Sequence, residues 1–349
     1  MSAALFRPET TAVVLNPVSG APAARRKARA MAKRLAALGY RVLPTARPND
    51  AGRLALEAVT AGCNSVVAFG GDGTLYETVE HLPPHVALGL FPTGTVNLFA
   101  RGLDIPREPE AWLALLQSGA TIPYSFGLCN GRPFACVAST GFDALVVAQV
   151  NRTLKKWIQQ GAYAVEALRA FAGYRPPEFR VTLDGTPYRF EAETAEAGRP
   201  GSGRSPQSAR SPRSARSSGS RSANRSSGAG RLLGIIVGRI PYYGGAHPVL
   251  PHAQPRRSEL AVAFLHARDK WSLLRFARGM VLGTLPRMKG VVFRTAQRLT
   301  IESDPPCPVE LDGDPFAQTP VEFTLESAPR TILAPIVVKP PGGTAADPA

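Results

Sequence analysis

The stretch Phe69-Gly70-Gly71-Asp72-Gly73-Thr74 is the first place in this sequence where residue types and spacing could do chemistry. It follows an apolar run and leads into a helical one. Its glycines let the backbone approach a ligand closely, while free N–H groups at the helix start attract anionic oxygens. That is the chemistry of a phosphate loop. The carboxylate of Asp72 would repel a bare phosphate, and it makes sense there if it holds Mg²⁺ or orients a water or hydroxyl beside a phosphate chain. Two further loops, Asn16-Pro17-Val18-Ser19-Gly20 and Pro92-Thr93-Gly94-Thr95-Val96-Asn97, also close apolar runs. Taken singly, each is equally a helix-capping turn in which Ser19 or Thr95 bonds orphan amides. Three such loops at one sheet edge fit a nucleotide. Asn97 and Arg101 stand four residues apart on one helix face, where Arg101 can pair with a phosphate oxygen or an acidic neighbour.

The elements that must position these loops alternate in type. Short β-branched runs at 12–15, 42–43, 65–69 and 86–91 alternate with helical stretches at 23–38, 51–61, 74–81 and 96–101. The rhythm predicts an α/β N-terminal domain, a parallel sheet flanked by helices, over residues 1–121. Ligands bind such sheets at the carboxyl ends of the strands, where the three loops fall. After about residue 122 the strands at 134–139, 178–183, 188–193, 232–239, 260–266 and 291–302 predict a mainly antiparallel β-sandwich C-terminal domain over 122–324. The chain is expected to return to the first domain at about 325–345. A helix over 155–171 carries apolar residues at three- and four-residue intervals and reads as packing against the core rather than against lipid. Trp112, Trp157 and Trp271 read as core or domain-contact anchors.

The chain has 349 residues with 41 Lys and Arg against 26 Asp and Glu, a formal charge of +15. Eight of those arginines lie between Arg199 and Arg231 with no acid among them, so without that segment the excess falls by eight, to +7. Residues 197–231 are almost wholly Gly, Ser, Arg, Pro and Ala, too poor in apolar side chains to offset the entropy of ordering. A disordered insert is expected, with a tolerated insertion, a basic tether and a phosphorylation segment as its possible roles. The four cysteines show no paired spacing, and the five histidines no metal-ligand spacing, so neither a zinc site nor a thiol redox motif is indicated. No apolar run is long enough to span a bilayer, and residues 1–9 lack the pattern of a secretion signal. A cytoplasmic protein, peripheral at the membrane, is expected.

Asn-Pro-x-Ser-Gly, Gly-Gly-Asp-Gly-Thr and Pro-x-Gly-Thr-x-Asn-x-x-Ala-Arg, in this order, resemble the diacylglycerol kinase and sphingosine kinase superfamily, and within it the soluble bacterial lipid kinases. The likeness continues through Ser139-Thr140-Gly141-Phe142-Asp143-Ala144, the helix expected over 156–174, and Pro308-Val309-Glu310-Leu311-Asp312-Gly313-Asp314-Pro315. It implies an NAD-kinase-like two-domain fold and an ATP-dependent lipid kinase that transfers the γ-phosphoryl group to a hydroxyl of a diacylglycerol-like or related lipid. By the same resemblance Asn16, Pro17, Ser19, Gly20, Thr45, Gly70, Gly71, Asp72, Gly73, Thr74, Glu77, Pro92, Thr93, Gly94, Thr95 and Asn97 bind nucleotide. Asp143 and Arg101 lie near the acceptor, with Asp143 equally able to cap a helix at 144–150. Asp72 meets the Mg²⁺ carried by ATP. The family's proton acceptor lies in an Asp-Gly-Glu triplet. Here that triplet is Asp312-Gly313-Asp314, one methylene shorter at its third position, so either Asp314 or Asp312 is the base.

Two other functions share parts of this pattern. Dinucleotide (NAD) kinases have Gly-Gly-Asp-Gly-Thr but not the first and last motifs, and a catalytically weakened nucleotide- or membrane-binding homologue would keep the cleft. The expected partners are a membrane lipid substrate and, transiently, an anionic membrane surface. No specific nucleic acid is expected, and a homodimer is possible. Related bacterial enzymes carry an Asp-Gly where Leu250-Pro251-His252-Ala253-Gln254-Pro255 here runs into Arg257. A guanidinium has no lone pair to offer a cation, so the accessory structural Mg²⁺ site is expected to be lost while the catalytic Mg²⁺ remains. Crystals grown in Mg²⁺ are accordingly expected to show no hexacoordinate ion beside Arg257, and finding one would overturn this reading.

Overall fold

The computed structural model describes residues 5–144, 174–189, 231–244, 247–267, 269 and 271–336. The helix expected over 155–171, Trp157, the Arg/Ser-rich insert and most of the strand expected at 188–193 lie outside the described residues. The first domain runs β1 (Thr11–Leu15), α1 (Pro22–Ala37), β2 (Arg41–Pro44), α2 (Asp50–Thr60), β3 (Ser65–Gly70), α3 (Asp72–His81) and β4 (Ala87–Pro92). It continues through α4 (Leu98–Gly102), α5 (Pro109–Ser118) and β5 (Thr121–Tyr124). The second holds β6 (Gly127–Cys129), β7 (Arg132–Phe134), β8 (Val137–Gly141), β9 (Glu178–Leu183), β10 (Thr186–Pro187), β11 (Arg231–Gly238) and β12 (Leu260–Ala267). After these come α6 (Ser272–Val281), β13 (Val291–Ala296), β14 (Leu299–Asp304), β15 (Pro308–Leu311), β16 (Asp314–Gln318) and β17 (Val321–Leu325), and then β18 (Arg330–Leu333).

The first sheet has the order β2-β1-β3-β4-β18-β5. β1 to β4 pair in parallel, as their apolar runs and helical crossovers require. β18 joins β4 in parallel and β5 antiparallel, which makes the sheet mixed at that edge. Its centre is fully buried, with Phe69, Phe91 and Trp112 in mutual ring contact and the Trp112 indole N–H donating to the Leu90 carbonyl at 2.7 Å.

Two antiparallel sheets, β10-β9-β14-β17-β6-β7 and β13-β12-β11-β8-β15-β16, form the sandwich. Phe134, Ile301, Val321 and Phe323 of one meet Ile235, Val262, Phe264, Val309 and Leu311 of the other in its core. The alternate residues Ala261, Ala263 and Leu265 of β12 join the larger core of the first domain, so this sheet is buried on both faces. Two sequence runs expected as single strands are each broken between sheets. Residues 134–139 turn at Ala135-Cys136, passing from β7 to β8. Residues 291–302 turn at Gln297-Arg298, whose N–H groups donate to Asp184 Oδ1 at 2.9 and 2.8 Å. The polar corners, held by carboxylates, break what periodicity alone reads as continuous. Of the tryptophans expected as core or domain-contact anchors, Trp112 is wholly buried, whereas Trp271 is 63% exposed and so is not a core residue.

Arg330, at the start of β18, ties the domains together. Its guanidinium is bidentate to Glu326 at 2.6 and 3.1 Å, donates to the Leu82 carbonyl at 2.8 Å and lies over the Phe126 ring. Arg330 and Glu326 have side-chain exposures of only 5% and 10%. Removing one partner of a buried pair strands the other charge, so Arg330→Ala is expected to lower stability by about 3–5 kcal/mol in denaturant melts. The double change Arg330→Met/Glu326→Leu should recover most of that loss.

Candidate active site

The three glycine-bearing loops meet because their glycines leave no room between them. A Cβ on Gly94 would stand 2.6 Å from the Gly71 Cα, and one on Gly20 would stand 1.7 Å from the Thr93 carbonyl oxygen. Gly20 also has φ +79°, a left-handed conformation that favours glycine. Asn16 fixes its own loop: its Oδ1 accepts from Val18 N–H at 3.1 Å and its Nδ2 donates to Thr74 Oγ1 at 3.1 Å. Thr45 sits beside it, donating its N–H to the Leu15 carbonyl. Thr93 N–H donates to the Gly70 carbonyl at 2.8 Å.

Asp72 has different partners from those its position suggested. Its two oxygens accept the N–H groups of Leu98 and Phe99 at 2.8 and 3.0 Å, so it caps α4 from another loop. Burial pushes its carboxyl up, and the two amides partly oppose the rise. Asn97, at φ 53°, donates to the Gly94 carbonyl at 2.7 Å. Its Oδ1 and the Thr93 hydroxyl are buried polar atoms without a hydrogen-bond partner. Buried polar atoms are normally satisfied, so these two point to a polar ligand beside Gly71 and Gly94. Next to Thr93 a groove of about 300 Å³ is lined by Ala24, Lys27, Phe91, Arg107 and Glu108. Thr95 is exposed at the loop tip. Glu77 lies further along α3, on the side that packs against Gly52 of α2. Arg101 does not turn back toward Asn97; its guanidinium lies 5.6 Å from the centre of the Tyr242 ring in the second domain.

The second domain brings a set of acids to the junction, Glu310 wholly buried and Asp312 and Asp143 half-buried. Asp312, at φ 50° in the turn between β15 and β16, accepts the N–H groups of Ala135, Cys136 and Val137 at 2.6, 2.8 and 3.0 Å. Burial pushes its carboxyl up to about 6, opposed by those amides and reinforced by the charge of Asp72, so the two acids face one another across the junction. Asp314, one residue beyond Gly313, is exposed at the start of β16. Asp143 accepts from Ser139 Oγ at 2.8 Å and from the Tyr243 hydroxyl, and burial raises it to about 6.

Glu310 is the residue the sequence reading missed. It is wholly buried, with Oε2 accepting Gly313 N–H at 2.7 Å and Oε1 lying 3.2 Å from the Tyr243 hydroxyl. Burial, and then the charge of Asp143, pushes its carboxyl well up. One phenol has one proton, and Tyr243 gives it to Asp143, so the proton between Tyr243 and Glu310 belongs to Glu310. A chain thus runs from the Gly313 amide through neutral Glu310 and Tyr243 to Asp143. The available signal was register: Val309 and Leu311 enter the sandwich core, so the acid between them faces the opposite, equally covered side. Tyr76 and Arg132 were missed as well. Arg132 Nε donates to the Tyr76 hydroxyl at 2.5 Å and lies 3.3 Å from Glu80, joining α3 to β7. Among the described residues no group of three or more His, Cys, Asp or Glu is placed to hold a metal ion.

An α/β domain with glycine loops at its strand tips, closed by an antiparallel sandwich bearing acids, is the architecture of the NAD-kinase-like fold. The family description "Diacylglycerol kinase catalytic domain" matches residues 10–129, and "YegS C-terminal NAD kinase beta sandwich-like domain" matches residues 136–208 and 219–334. The chain belongs to this family of diacylglycerol-kinase and YegS-like proteins. A YegS-like lipid kinase of Pseudomonas aeruginosa is 36% identical over 196 residues, 55% of this chain and 64% of that protein. The diacylglycerol kinase of Bacillus subtilis is 31% identical over 185 residues, 51% of this chain and 61% of the relative. The chain therefore spans less than two thirds of these relatives. In fold it is similar to a crystal structure of a diacylglycerol kinase from Bacillus anthracis, with TM-score 0.60, 16% identity, and 94% and 97% of the two chains covered.

The close glycine contacts give a direct test. Gly94→Ala forces Gly71 and Asn97 apart, and nucleotide affinity by calorimetry is expected to fall at least about tenfold, the equivalent of about 1.4 kcal/mol. Because the methyl presses on the Gly71 backbone and on buried Asn97, some loss of melting temperature is expected as well, and affinity is to be read well below the variant's unfolding.

Proposed function

We propose that this chain is an ATP-dependent lipid kinase that transfers the γ-phosphoryl group to a hydroxyl of a diacylglycerol-like lipid. The observation that supports the reading is the close meeting of Gly20 with Thr93 and of Gly71 with Gly94, with the Asp312 turn near enough that the charge of Asp72 acts on it. The backbone N–H groups after Gly70 and at the start of α3 suit phosphate oxygens, and the Thr93 hydroxyl has a proton to give. The groove beside Thr93 has room for part of the nucleoside.

In the transfer, the acceptor oxygen forms a bond to the γ-phosphorus as the bond from that phosphorus to the bridging oxygen of ADP breaks. The hydroxyl proton goes to a carboxylate. Asp314 suits that task because it is exposed at the turn, whereas the oxygens of Asp312 already accept three amides and hold the turn in shape. Asp143 suits the orienting of the acceptor hydroxyl, its own place fixed by Ser139 and Tyr243. Mg²⁺ arriving with ATP would offset phosphate charge. Asn97 Oδ1, buried without a partner, is an oxygen of the kind that accepts from a water on that ion, and Asp72, spent on α4, acts through the loop.

Radiolabelled ATP with a panel of glycerolipids, sphingoid bases and NAD tests the assignment. Label is expected in a lipid and not in NAD. Asp314→Asn should lower turnover at least about a hundredfold, as loss of a general base does, while nucleotide binding persists. Label only in NAD, or ATP binding with no transfer to any acceptor, would overturn the proposal. The pH dependence follows from Asp312 and Asp143, both raised to about 6. Each is ionised above that value and neutral below it, so turnover should fall as pH drops through about 6. Stability runs the other way. A raised carboxyl favours the folded state fully below about 4 and loses that contribution as pH rises through about 6, so these two groups make the protein more stable near pH 5 than near pH 7.

A further inference from the structure

Helix α6 hangs from one end of the inner sandwich sheet, the end at which β8 runs on to Asp143; the Asp312–Asp314 turn lies at the other end of β8. Gly141 pairs with Gly234, Gly234 with Leu265, and Leu265 with Val291, so these four residues form one row across the sheet. Asp143 lies two residues beyond Gly141, and α6 fills the connection from β12 to β13 beyond the same row. The inner face of the helix is firmly seated. Leu273, Phe276 and Gly279 are buried, and a Cβ on Gly279 would stand 2.3 Å from the Met288 sulfur.

Its outer face is unusual for a water-facing surface. Trp271, Leu274, Arg275, Arg278, Val281 and Leu282 fall within about 120° of arc at 100° per residue. Trp271, Val281 and Leu282 are 63%, 75% and 54% exposed, and Leu274 is 46% exposed. Arg278 lies in the middle of the stripe and Arg275 at its edge, and both are exposed. From Trp271 to Thr300 the sequence has six Lys and Arg and no Asp or Glu. A large aromatic and three aliphatic side chains interleaved with cations match the layered chemistry of an anionic bilayer surface, acyl carbon beneath a plane of phosphates.

We propose that the outer face of α6 docks the protein on anionic lipid bilayers, Trp271, Leu274, Val281 and Leu282 entering the interface while Arg275 and Arg278 meet lipid phosphates. The surface rests on the lipid-kinase reading only for its purpose, since it would bring the Asp143 end of the sheet to where an acceptor lipid resides. A second copy of the chain fits the stripe less well. An isologous pair would press four guanidinium groups together on a helix whose own sequence carries no acid.

Vesicle sedimentation without ATP tests the docking independently of turnover. The full chain is expected to bind vesicles of phosphatidylcholine with phosphatidylglycerol at least about tenfold more tightly than phosphatidylcholine alone, and to lose that preference in high salt. Trp271→Glu/Val281→Glu should weaken binding at least about tenfold with an unchanged circular-dichroism melt, and Arg275→Gln/Arg278→Gln should abolish the preference for the anionic vesicles. A chain lacking residues 198–230 should bind as the intact one does. Wild-type binding by the Trp271/Val281 variant, loss of binding only on deleting 198–230, or conversion of a dimer to a monomer by the α6 changes would each overturn the proposal. Phosphorylation of a water-soluble short-chain diacylglycerol should be untouched by the α6 variants. If that reaction is absent from every form while vesicle binding still depends on α6, the kinase reading fails and the docking surface stands.

Discussion

The carboxylate of Asp312 holds the corner at which the chain leaves one sheet of the sandwich and enters the other. Three consecutive amides, of Ala135, Cys136 and Val137, converge on its two oxygens, and the Asp312 amide itself donates to the Val137 carbonyl at 2.8 Å. A corner inside a protein leaves backbone donors with no ladder partner, and an ionised acceptor satisfies several at once. The same bonds fix the turn that carries Asp314. The architecture of the sandwich and the aim of the acidic turn are therefore one arrangement, and Glu310 extends it through Tyr243 to Asp143.

Opposite that turn the site is shaped by absence of bulk rather than by charge. Gly20, Gly71 and Gly94 let backbone meet backbone, and the loops between them are held by Asn16, Asp72 and Asn97, whose bonds go to protein atoms. Asp72 shows the division of labour: in the middle of a phosphate-type loop, its charge is turned away into the amides of α4.

Much of this was legible in the sequence because it rests on local rules. The alternation of apolar runs and helices, and the glycine loops at the strand ends, follow from periodicity and from the steric freedom of glycine. Contacts between distant residues were not legible. Nothing local tells that Asp72 reaches Leu98, that Arg101 stacks on Tyr242, or that an acid flanked by Val309 and Leu311 faces a second buried layer. Strand continuity failed for the same reason: residues 134–139 look unbroken until Asp312, far along the chain, is seen to hold the corner. Trp271 was misjudged because composition favours burying tryptophan, while the helix it begins already has an apolar inner face.

The place of β18 between β4 and β5 sets the order in which the molecule can be completed. On the ribosome, β1 to β5 emerge with a gap in their sheet, and the strand that fills it appears only after the whole sandwich has been made. Until then the edges of β4 and β5 lack their hydrogen-bonding partner, and the Leu82 carbonyl lacks the guanidinium of Arg330. Synthesis runs from the first domain to the second, but the first domain is the last to close.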